Sequence, residues 1–190
     1  MLKELILKNR SYRRFYQSEP ISNSLLRDWI DLARNSASAR NAQSLKYFVS
    51  SDELLNTQIF EQLAWAGYLT TWKGPEEGER PSAYVVLLHD TLISGNYFCD
   101  DGIAIQSILL GATEDGFGGC IIHSVNRNKL REVLNLSEQY EILYVLALGK
   151  PKETIVLEEI KDGDFKYWRD ENQVHHVPKR SLDEIIIEVR

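Results

Sequence analysis

The sequence contains little sulphur: two cysteines, Cys99 and Cys120, and one methionine in 190 residues. Two cysteines without an N-terminal export signal are typical of a reducing compartment, so we expect free thiols and a cytoplasmic location. The chain also lacks a continuous apolar run of about 20 residues, the length that spans a bilayer. We therefore expect no membrane partner.

The chain has fewer basic than acidic residues: 22 Lys and Arg against 28 Asp and Glu, which gives a net charge of −6. Proteins that bind nucleic acid present basic faces to the phosphate backbone, so we do not expect nucleic acid as the main partner. Hydrophobic residues make up 43% and charged residues 26% of the chain, as in ordinary globular proteins. A chain of this length is expected to fold as one domain over residues 1–190.

Several catalytic and metal-binding motifs are missing, among them the Walker, Gly-x-Ser-x-Gly and His-Glu-x-x-His patterns. The glycines of 116–119 are not a dinucleotide fingerprint, because a predicted helix precedes them and a strand follows, which is the reverse order. Cys120-x-x-His123, with His175 and His176 far along the chain, fits no zinc-ligand spacing. We therefore expect no metal and no built-in NAD-binding domain.

Helices and strands alternate without a linker, a repeat or a low-complexity segment. Helical periodicity follows a cap at Ser22 or Asn23, and a second helix is predicted from about Asp52 to Trp65. A long apolar helix that is capped by Asp100 or Asp101 and reaches Ala112 is expected at the centre of the fold, and Asn126 is expected to cap a later helix. Apolar runs predict strands over 45–50, 83–89, 120–122, 141–149 and 182–189, and glycine and proline predict a loop over 67–81.

Two segments near the N-terminus carry the clearest chemical signal. The first, Arg10-Ser11-Tyr12-Arg13-Arg14-Phe15, concentrates guanidinium groups in an acidic chain, and guanidinium groups bind phosphate oxygens in paired hydrogen bonds. The second, Ser38-Ala39-Arg40-Asn41-Ala42-Gln43, offers a hydroxyl and two carboxamides that can bind the edge of a flat heterocycle. Together they indicate a nucleotide-like cofactor. The alternatives are a solvated helix face for the first segment and ordinary loop residues for the second.

The order of these segments resembles the FMN-dependent nitroreductase family. That family has an Arg-Ser-x-Arg-x-Phe type segment, then a helix, then a Pro-Ser-x-x-Asn-x-Gln-Pro-Trp segment that leads into a strand. The central helix of the family is similar to 101–112, its glycine turn and strand to 116–122, and its C-terminal phosphate contact to Pro178-Lys179-Arg180. The resemblance therefore covers nearly the whole chain.

The resemblance implies roles for three groups of residues. The FMN phosphate would be bound by the first segment and by either Lys179 or Arg180. The flavin ring or ribityl chain would contact the second segment, partly from a partner subunit. The strand end at 122–124 would lie near flavin N5. The implied cofactor-binding residues are Arg10, Ser11, Tyr12, Arg13, Ala37, Ser38, Ala39, Asn41, Gln43, Ile122, His123, Ser124, Lys179 and Arg180. His123 has an alternative role as a cap before the Asn126 helix. No protein acid or base is expected to be catalytic, because the flavin supplies the hydride chemistry.

Three aromatic residues, Trp65, Tyr68 and Trp72, are candidates for the substrate pocket that covers the flavin, the alternative being that they are ordinary packing residues beside a loop. The implied fold class is α+β, with a mixed central β-sheet flanked by helices. The resemblance also implies a homodimer in which the C-terminal strand 182–189 is exchanged between subunits, which would cover a sheet edge.

Three functions are compatible with these features. The first is an FMN-dependent oxidoreductase that uses NADH or NADPH to reduce flat nitroaromatic or quinone-like acceptors. The second is a related flavoprotein with another redox reaction, such as reductive dehalogenation. The third is a flavin-binding carrier or sensor without turnover, in which neither nicotinamide nucleotide would reduce the bound flavin.

Overall fold

The computed structural model describes residues 1–190, which form two compact units, one of residues 1–65 and 74–152 and one of residues 66–73 and 153–190. The larger unit contains α1 Leu2–Lys8, β1 Phe15–Tyr16, α2 Asn23–Arg34, a 3-10 turn Ala39–Asn41, β2 Leu45–Ser50, α3 Glu53–Phe60, β3 Ala83–Asp90, α4 Asp100–Glu114, β4 Gly118–Ile122, α5 Arg127–Leu134 and β5 Tyr140–Pro151. The smaller unit contains β6 Ile155–Glu159, β7 Trp168–Arg169, β8 His175–Lys179 and α6 Leu182–Ile185. That the whole chain forms one cofactor-binding domain stays a prediction.

A five-stranded antiparallel sheet forms the centre of the larger unit. β5 lies between β3 and β4, β2 pairs with the other edge of β3, and β1 pairs with the end of β5 at Lys150 and Pro151. All eight residues of β3 are buried, which accounts for the apolar run at its start, and the polar His89 and Asp90 at its end are buried as well. The smaller unit has a three-stranded sheet in which β8 pairs in parallel with β6 and antiparallel with β7.

These elements confirm the α+β class and the helices around the sheet. The central sheet was predicted to contain both parallel and antiparallel strands. Its strand pairs are all antiparallel, and the parallel pair, β6 with β8, belongs to the sheet of the smaller unit. The exchange of a strand between subunits stays a prediction.

The main core lies between α2, α4 and one face of the central sheet. Trp29 of α2 and Ile108 of α4 are almost fully buried there against Leu87 and Leu146 of the strands. Eight of the fifteen residues of α4 are buried, so the helix predicted to be central is indeed largely enclosed. Its C-terminal turn contains Gly116 at φ +77, a left-handed conformation that glycine adopts without a steric penalty.

Most predicted elements agree with the structure, including β2 at the predicted bounds, α2 with its cap at Ser22, and α5 with its cap at Asn126. The helix predicted to reach Trp65 is shorter, because α3 ends at Phe60 and turns follow. The segment between α3 and β3 contains no helix or strand and thus includes the predicted loop.

The strand predicted over 182–189 does not form within the single chain. Residues 182–185 form the short helix α6, and the residues after it adopt no regular structure. A capping box explains the helix, since Ser181 accepts a hydrogen bond from the Glu184 amide and the Glu184 side chain accepts one from the Ser181 amide. A strand needs a neighbour for its backbone groups, and no strand of the same chain pairs with this segment.

The longest helix, α4, has 15 residues, and none of the helices has the length and apolar character needed to cross a membrane. Neither cysteine is part of a disulfide, which agrees with the thiols expected from the sequence; Cys99 is exposed and Cys120 is buried. The cytoplasmic location stays a prediction.

Candidate functional site

The first predicted segment runs beside the start of β4. Ser11 forms a parallel bridge with Gly119, and the Tyr12 amide donates to the Gly119 carbonyl at 3.0 Å. The Tyr12 ring covers Gly118 so closely that a Cβ there would lie 2.6 Å from Tyr12 Cδ2. The glycines of the turn therefore allow the arginine segment to approach the strand, and the Tyr12 hydroxyl fixes its other side by donating to the Lys8 carbonyl at 2.9 Å.

The three arginines of this segment differ in their partners. Arg10 donates from Nη2 to the Ile6 carbonyl at 2.7 Å, while its Nε is buried without a hydrogen-bond partner. Arg13 donates from Nη1 to the Ser11 carbonyl at 3.1 Å. A buried guanidinium nitrogen without an acceptor is rare in proteins, which makes Arg10 Nε a candidate for contact with an acceptor outside the chain.

Arg14 instead has a structural role. It forms a two-pronged ion pair with Glu79, at 2.5 Å from Nε and 2.7 Å from Nη2, and Lys152 contacts the same carboxylate at 3.0 Å. The hydrogen bonds from Arg14 and, to a smaller extent, the contact with Lys152 lower the pKa of Glu79 to about 2, although partial burial acts in the opposite direction. The omission of Arg14 from the predicted phosphate contacts is consistent with this pairing.

The second predicted segment lines a cavity of about 250 Å³ in the larger unit. Ser38, Asn41 and Gln43 of this segment and the preceding Ala37 reach the wall, together with residues of α2, β2 and α4. The lining residues are Ala33, Arg34, Ser36, Ala37, Ser38, Asn41, Gln43, Leu45, Lys46, Tyr47, Asp100 and Ala104. Polar groups of the loop thus meet a mixed strand and helix surface, which presents Arg34, Lys46 and Asp100 as well as apolar side chains. Convergent polar groups beside apolar side chains are usual for a small-molecule site.

Asp100, the first residue of α4, holds this loop in place. Its buried carboxylate accepts from the Ser38 hydroxyl at 2.7 Å and from the Ala39 amide at 2.8 Å. Ala39 is therefore a backbone contact of Asp100 and not part of the cavity wall. Burial raises the pKa of Tyr47, which also lines the cavity, to about 12, and the Asp100 charge adds to the effect.

The loop backbone is strained where the carboxamides lie. Arg40, Asn41 and Gln43 all have φ between 53° and 55°, a left-handed conformation that is costly outside glycine. Gln43 Nε2 donates to Asn41 Oδ1 at 3.0 Å, and the Gln43 amide donates to Ser38 Oγ at 3.0 Å. Clustered strain of this kind occurs at ligand sites, where the surrounding structure maintains it.

The predicted contacts at the end of β4 lie in one continuous stretch. Ile122 is buried, whereas His123 and Ser124 are exposed. The His123 ring packs 5.5 Å from the Tyr144 ring, and the Ser124 carbonyl accepts from the Ala64 amide at 2.9 Å. The cap of α5 is Asn126, which accepts from the Lys129 amide, so capping does not account for His123.

The two C-terminal cations belong to the smaller unit. Lys179 is the last residue of β8, and Arg180 pairs with Glu184 at 3.1 Å on the surface. Their assignment to a phosphate stays a prediction.

The three predicted pocket aromatics have different surroundings. Trp65, in the larger unit, is buried against Phe60 at 5.8 Å and covers Gly74, as expected of a packing residue. In the smaller unit, the exposed Tyr68 ring lies 4.9 Å from the Tyr167 ring, and Trp72 lies beneath the Arg169 guanidinium at 4.6 Å. Contact with a substrate stays a prediction for all three.

Sequence reasoning missed Asp100 and Tyr47 as parts of this site. Asp100 was expected only as a cap of the central helix, yet Cys99 occupies the cap position and the Asp100 carboxylate reaches the loop 62 residues earlier. The available signal was an acidic pair at the start of an otherwise apolar helix. For Tyr47, the alternation of β2 gave no indication of a cavity.

Comparison with known proteins agrees with this fold. The family model described as "Nitroreductase family" matches residues 98–150, the segment of α4, the glycine turn, β4, α5 and β5. The Bacillus subtilis (strain 168) protein YodC, whose name describes an NAD(P)H nitroreductase, is 27% identical over 176 residues and matches 76% of this chain and 87% of its own length.

Solved structures with a similar fold include nitroreductase family proteins. A nitroreductase family protein of Clostridium novyi NT has a TM-score of 0.68 at 24% identity, with 94% of each chain covered. One from Streptococcus pneumoniae TIGR4 has a TM-score of 0.71 at 16% identity, with both chains fully covered. The NADPH:FMN oxidoreductase of Vibrio harveyi, solved with NAD+, has a TM-score of 0.61 at 23% identity and covers 80% of this chain and 69% of its own. The family model over residues 98–150, the YodC relative and the shared fold all support the nitroreductase family for this chain.

Proposed function

We propose that this protein is an FMN-dependent oxidoreductase that takes electrons from NADH or NADPH and passes them to flat nitroaromatic, quinone or related conjugated acceptors. The observation that carries the proposal is the cavity walled by Ser38, Asn41 and Gln43. Its loop has three residues in left-handed backbone conformations and is fastened by a buried carboxylate, as expected of a preformed ligand site.

The residues present fit the two ends of FMN. At the phosphate end, the buried Arg10 Nε lacks an acceptor, and Arg13 and the exposed Ser11 follow in the same segment. A phosphate monoester carries about −1.5 to −2 charges at neutral pH and supplies the acceptor oxygens that such a segment needs. At the ring end, the carboxamides of Asn41 and Gln43 offer both donors and acceptors.

Bound FMN would supply the redox chemistry, accepting a hydride equivalent from the nicotinamide nucleotide and delivering it to the acceptor. The chain's part is to bind and orient. Asp100 keeps the Ser38 hydroxyl and the Ala39 amide in place, and the backbone of 122–124 is proposed to approach the reactive edge of the ring. No side chain in these segments is assigned a proton-transfer role.

The electron donor in this proposal rests on relatives. YodC is named for NAD(P)H nitroreductase activity, and the Vibrio harveyi protein is an NADPH:FMN oxidoreductase. We also propose that the protein acts as a homodimer in which Ala37, Ser38 and Ala39 of one subunit approach the flavin of the other. Exposed apolar side chains of the C-terminal segment favour such an association, among them Ile186 and Ile187.

Steady-state kinetics test the proposal. Protein saturated with FMN is assayed for NADH and NADPH oxidation under nitrogen, with p-benzoquinone or nitrobenzene as acceptor at several fixed concentrations. A donor that leaves before the acceptor binds gives parallel double-reciprocal lines, the pattern of a ping-pong reaction. Nucleotide oxidation that no acceptor accelerates would refute the reductase assignment.

A further inference from the structure

A second cavity, of about 510 Å³, lies between α3, the start of β3 and the loops that precede α2 and β3. The residues that line it are Gln17, Ser18, Pro20, Ile21, Ser51, Glu53, Asn56, Thr57, Phe60, Glu77, Gly78, Arg80, Pro81, Ser82 and Tyr84. It is about twice the volume of the first cavity and shares no lining residue with it. The proposed cofactor site gives it no role.

The two cavities lie on different faces of the central sheet. In the β2–β3 ladder, Tyr84 is opposite Ser50, while Tyr47 of the first cavity is opposite Leu87. Side chains alternate between faces along a strand, so those of Tyr84 and Leu87 point to opposite sides. A ligand in the second cavity is therefore not an extension of one in the first.

Four lining residues each contain a buried polar side-chain atom that has no hydrogen-bond partner: Asn56 Oδ1, Arg80 Nε, Ser82 Oγ and Tyr84 Oη. Tyr84 is 1% and Asn56 is 7% exposed. Asn56 Nδ2 donates to the Ser82 carbonyl at 2.9 Å, which fixes the orientation of the amide. Buried polar atoms are nearly always paired, and four unpaired ones around one cavity indicate a ligand that pairs with them.

The chemistry of these atoms defines the ligand. Arg80 forms no ion pair, and its guanidinium lies 4.4 Å from the centre of the Phe60 ring. The ring covers one face of the guanidinium, and the N–H groups along its edge can bind an anionic group of a ligand. The Tyr84 and Ser82 hydroxyls can donate to the same anion, since burial raises the pKa of Tyr84 and keeps its phenol protonated. Asn56 Oδ1 accepts only, and therefore calls for a donor on the ligand.

The charge of the ligand is limited by the rim of the cavity. The exposed carboxylates of Glu53 and Glu77 line it, and they disfavour a doubly charged anion such as a phosphate monoester. Apolar walls from Ile21, Phe60 and Pro81 favour a ligand with a hydrophobic body.

We propose that this cavity is a second ligand site, which binds a small organic monocarboxylate with a hydroxyl or N–H donor at its far end. Arg80, Ser82 and Tyr84 bind the carboxylate, Asn56 accepts from the donor, and Phe60 contacts the body of the molecule. The site is independent of flavin binding.

The test uses 4-hydroxybenzoate as the probe and 4-hydroxybenzamide as its neutral counterpart, with binding to the full chain measured by titration calorimetry. We expect 4-hydroxybenzoate to bind the unaltered protein, and the amide and unsubstituted benzoate to bind at least tenfold more weakly. Arg80→Gln and Tyr84→Phe should each weaken 4-hydroxybenzoate binding by a similar factor, with an unchanged circular dichroism spectrum. Asn41→Ala, in the first cavity, should leave this binding unaltered.

Three results would overturn the proposal. One is the absence of 4-hydroxybenzoate binding at millimolar concentration. Another is equal affinity for the acid and the amide, a comparison made on the unaltered protein that does not depend on the folding of any variant. The third is binding that survives Arg80→Gln and Tyr84→Phe but is lost in Asn41→Ala, which would place the probe in the first cavity.

Discussion

The Ser38 hydroxyl donates to the buried Asp100 carboxylate at 2.7 Å, and this contact joins a strained loop to the first turn of the central helix. The Ala39 amide donates to the other oxygen of the same carboxylate at 2.8 Å. One ionised group thus satisfies two donors of the loop that lines the proposed flavin cavity. The proposed site depends on the central helix through this carboxylate.

Asp100→Asn should loosen this loop. The amide loses the charge that strengthens two hydrogen bonds, so we expect a loss of about 1.5–3 kcal/mol in the free energy of unfolding, together with weaker FMN binding. Urea denaturation and flavin fluorescence titration measure the two effects. Asp101→Asn, at the neighbouring position, where the carboxylate accepts only from the Gly102 amide, is the control and should change stability by less than about 0.5 kcal/mol. Equal effects of the two substitutions would contradict the role given to Asp100.

The double substitution Arg10→Ala/Arg13→Ala should remove the phosphate end of the proposed site. Two charge-assisted contacts, each worth roughly 1.5–3 kcal/mol, correspond to a loss of FMN affinity of about a hundredfold or more. A matched control is Arg27→Ala/Arg190→Ala, which removes the same charge from two exposed positions. If FMN binds both double variants as tightly as the unaltered protein, the phosphate assignment is wrong.

Glu79 should contribute to stability in a pH-dependent way. Because Arg14 and then Lys152 hold the pKa of Glu79 at about 2, below its usual 4.5, folding favours the ionised form. The contribution is full above pH 4.5 and is lost as the pH falls toward 2. At pH 7 we expect Glu79→Gln to lower the free energy of unfolding by about 2 kcal/mol, and the difference should shrink with acidification. The exposed Glu76→Gln is the control, and a deficit that stays constant down to pH 3 would contradict this assignment.

Gly119→Ala should displace the arginine segment. A Cβ at Gly119 would lie 2.7 Å from the Ala147 carbonyl oxygen and 2.7 Å from Leu148 Cδ2, so the strand must shift. We expect destabilisation of about 1–3 kcal/mol by overpacking, together with weaker FMN binding, because Ser11 and Tyr12 contact this residue. Thermal unfolding and fluorescence titration measure both. Gly102→Ala has no atom within 4 Å of the new Cβ and lies in a helix, so it should be neutral or stabilising. The same loss of stability in both variants would count against the steric explanation.

Local patterns predicted the elements whose burial is visible in the sequence. The apolar run that begins β3 predicted a strand buried on both faces, and Ser22 and Asn126 predicted helix starts through their capping oxygens. The prediction for the C-terminal segment differs from the structure because two local signals compete there. Its β-branched residues favour a strand, whereas the capping box at Ser181 and Glu184 favours a helical turn.

The candidate site could be predicted only in part. Arg10, Arg13, Asn41 and Gln43 lie in two short segments that resemble those of the family, so the sequence alone nominates them. Asp100 could not be assigned, because its contact with Ser38 spans 62 positions and depends on how α4 packs. The second cavity was not predicted either, since Asn56, Arg80 and Tyr84 come from separate elements with no shared motif.

The most direct test of the central claim is an anaerobic visible spectrum of the purified protein supplied with FMN, recorded before and after addition of NADH and then NADPH. We expect protein-bound flavin whose absorption near 450 nm, a general property of oxidised flavins, is bleached by at least one of the two nucleotides. A bound flavin that stays oxidised with both donors would contradict the reductase and favour a carrier or sensor. No flavin binding at all would contradict the account of Arg10, Asn41 and Gln43.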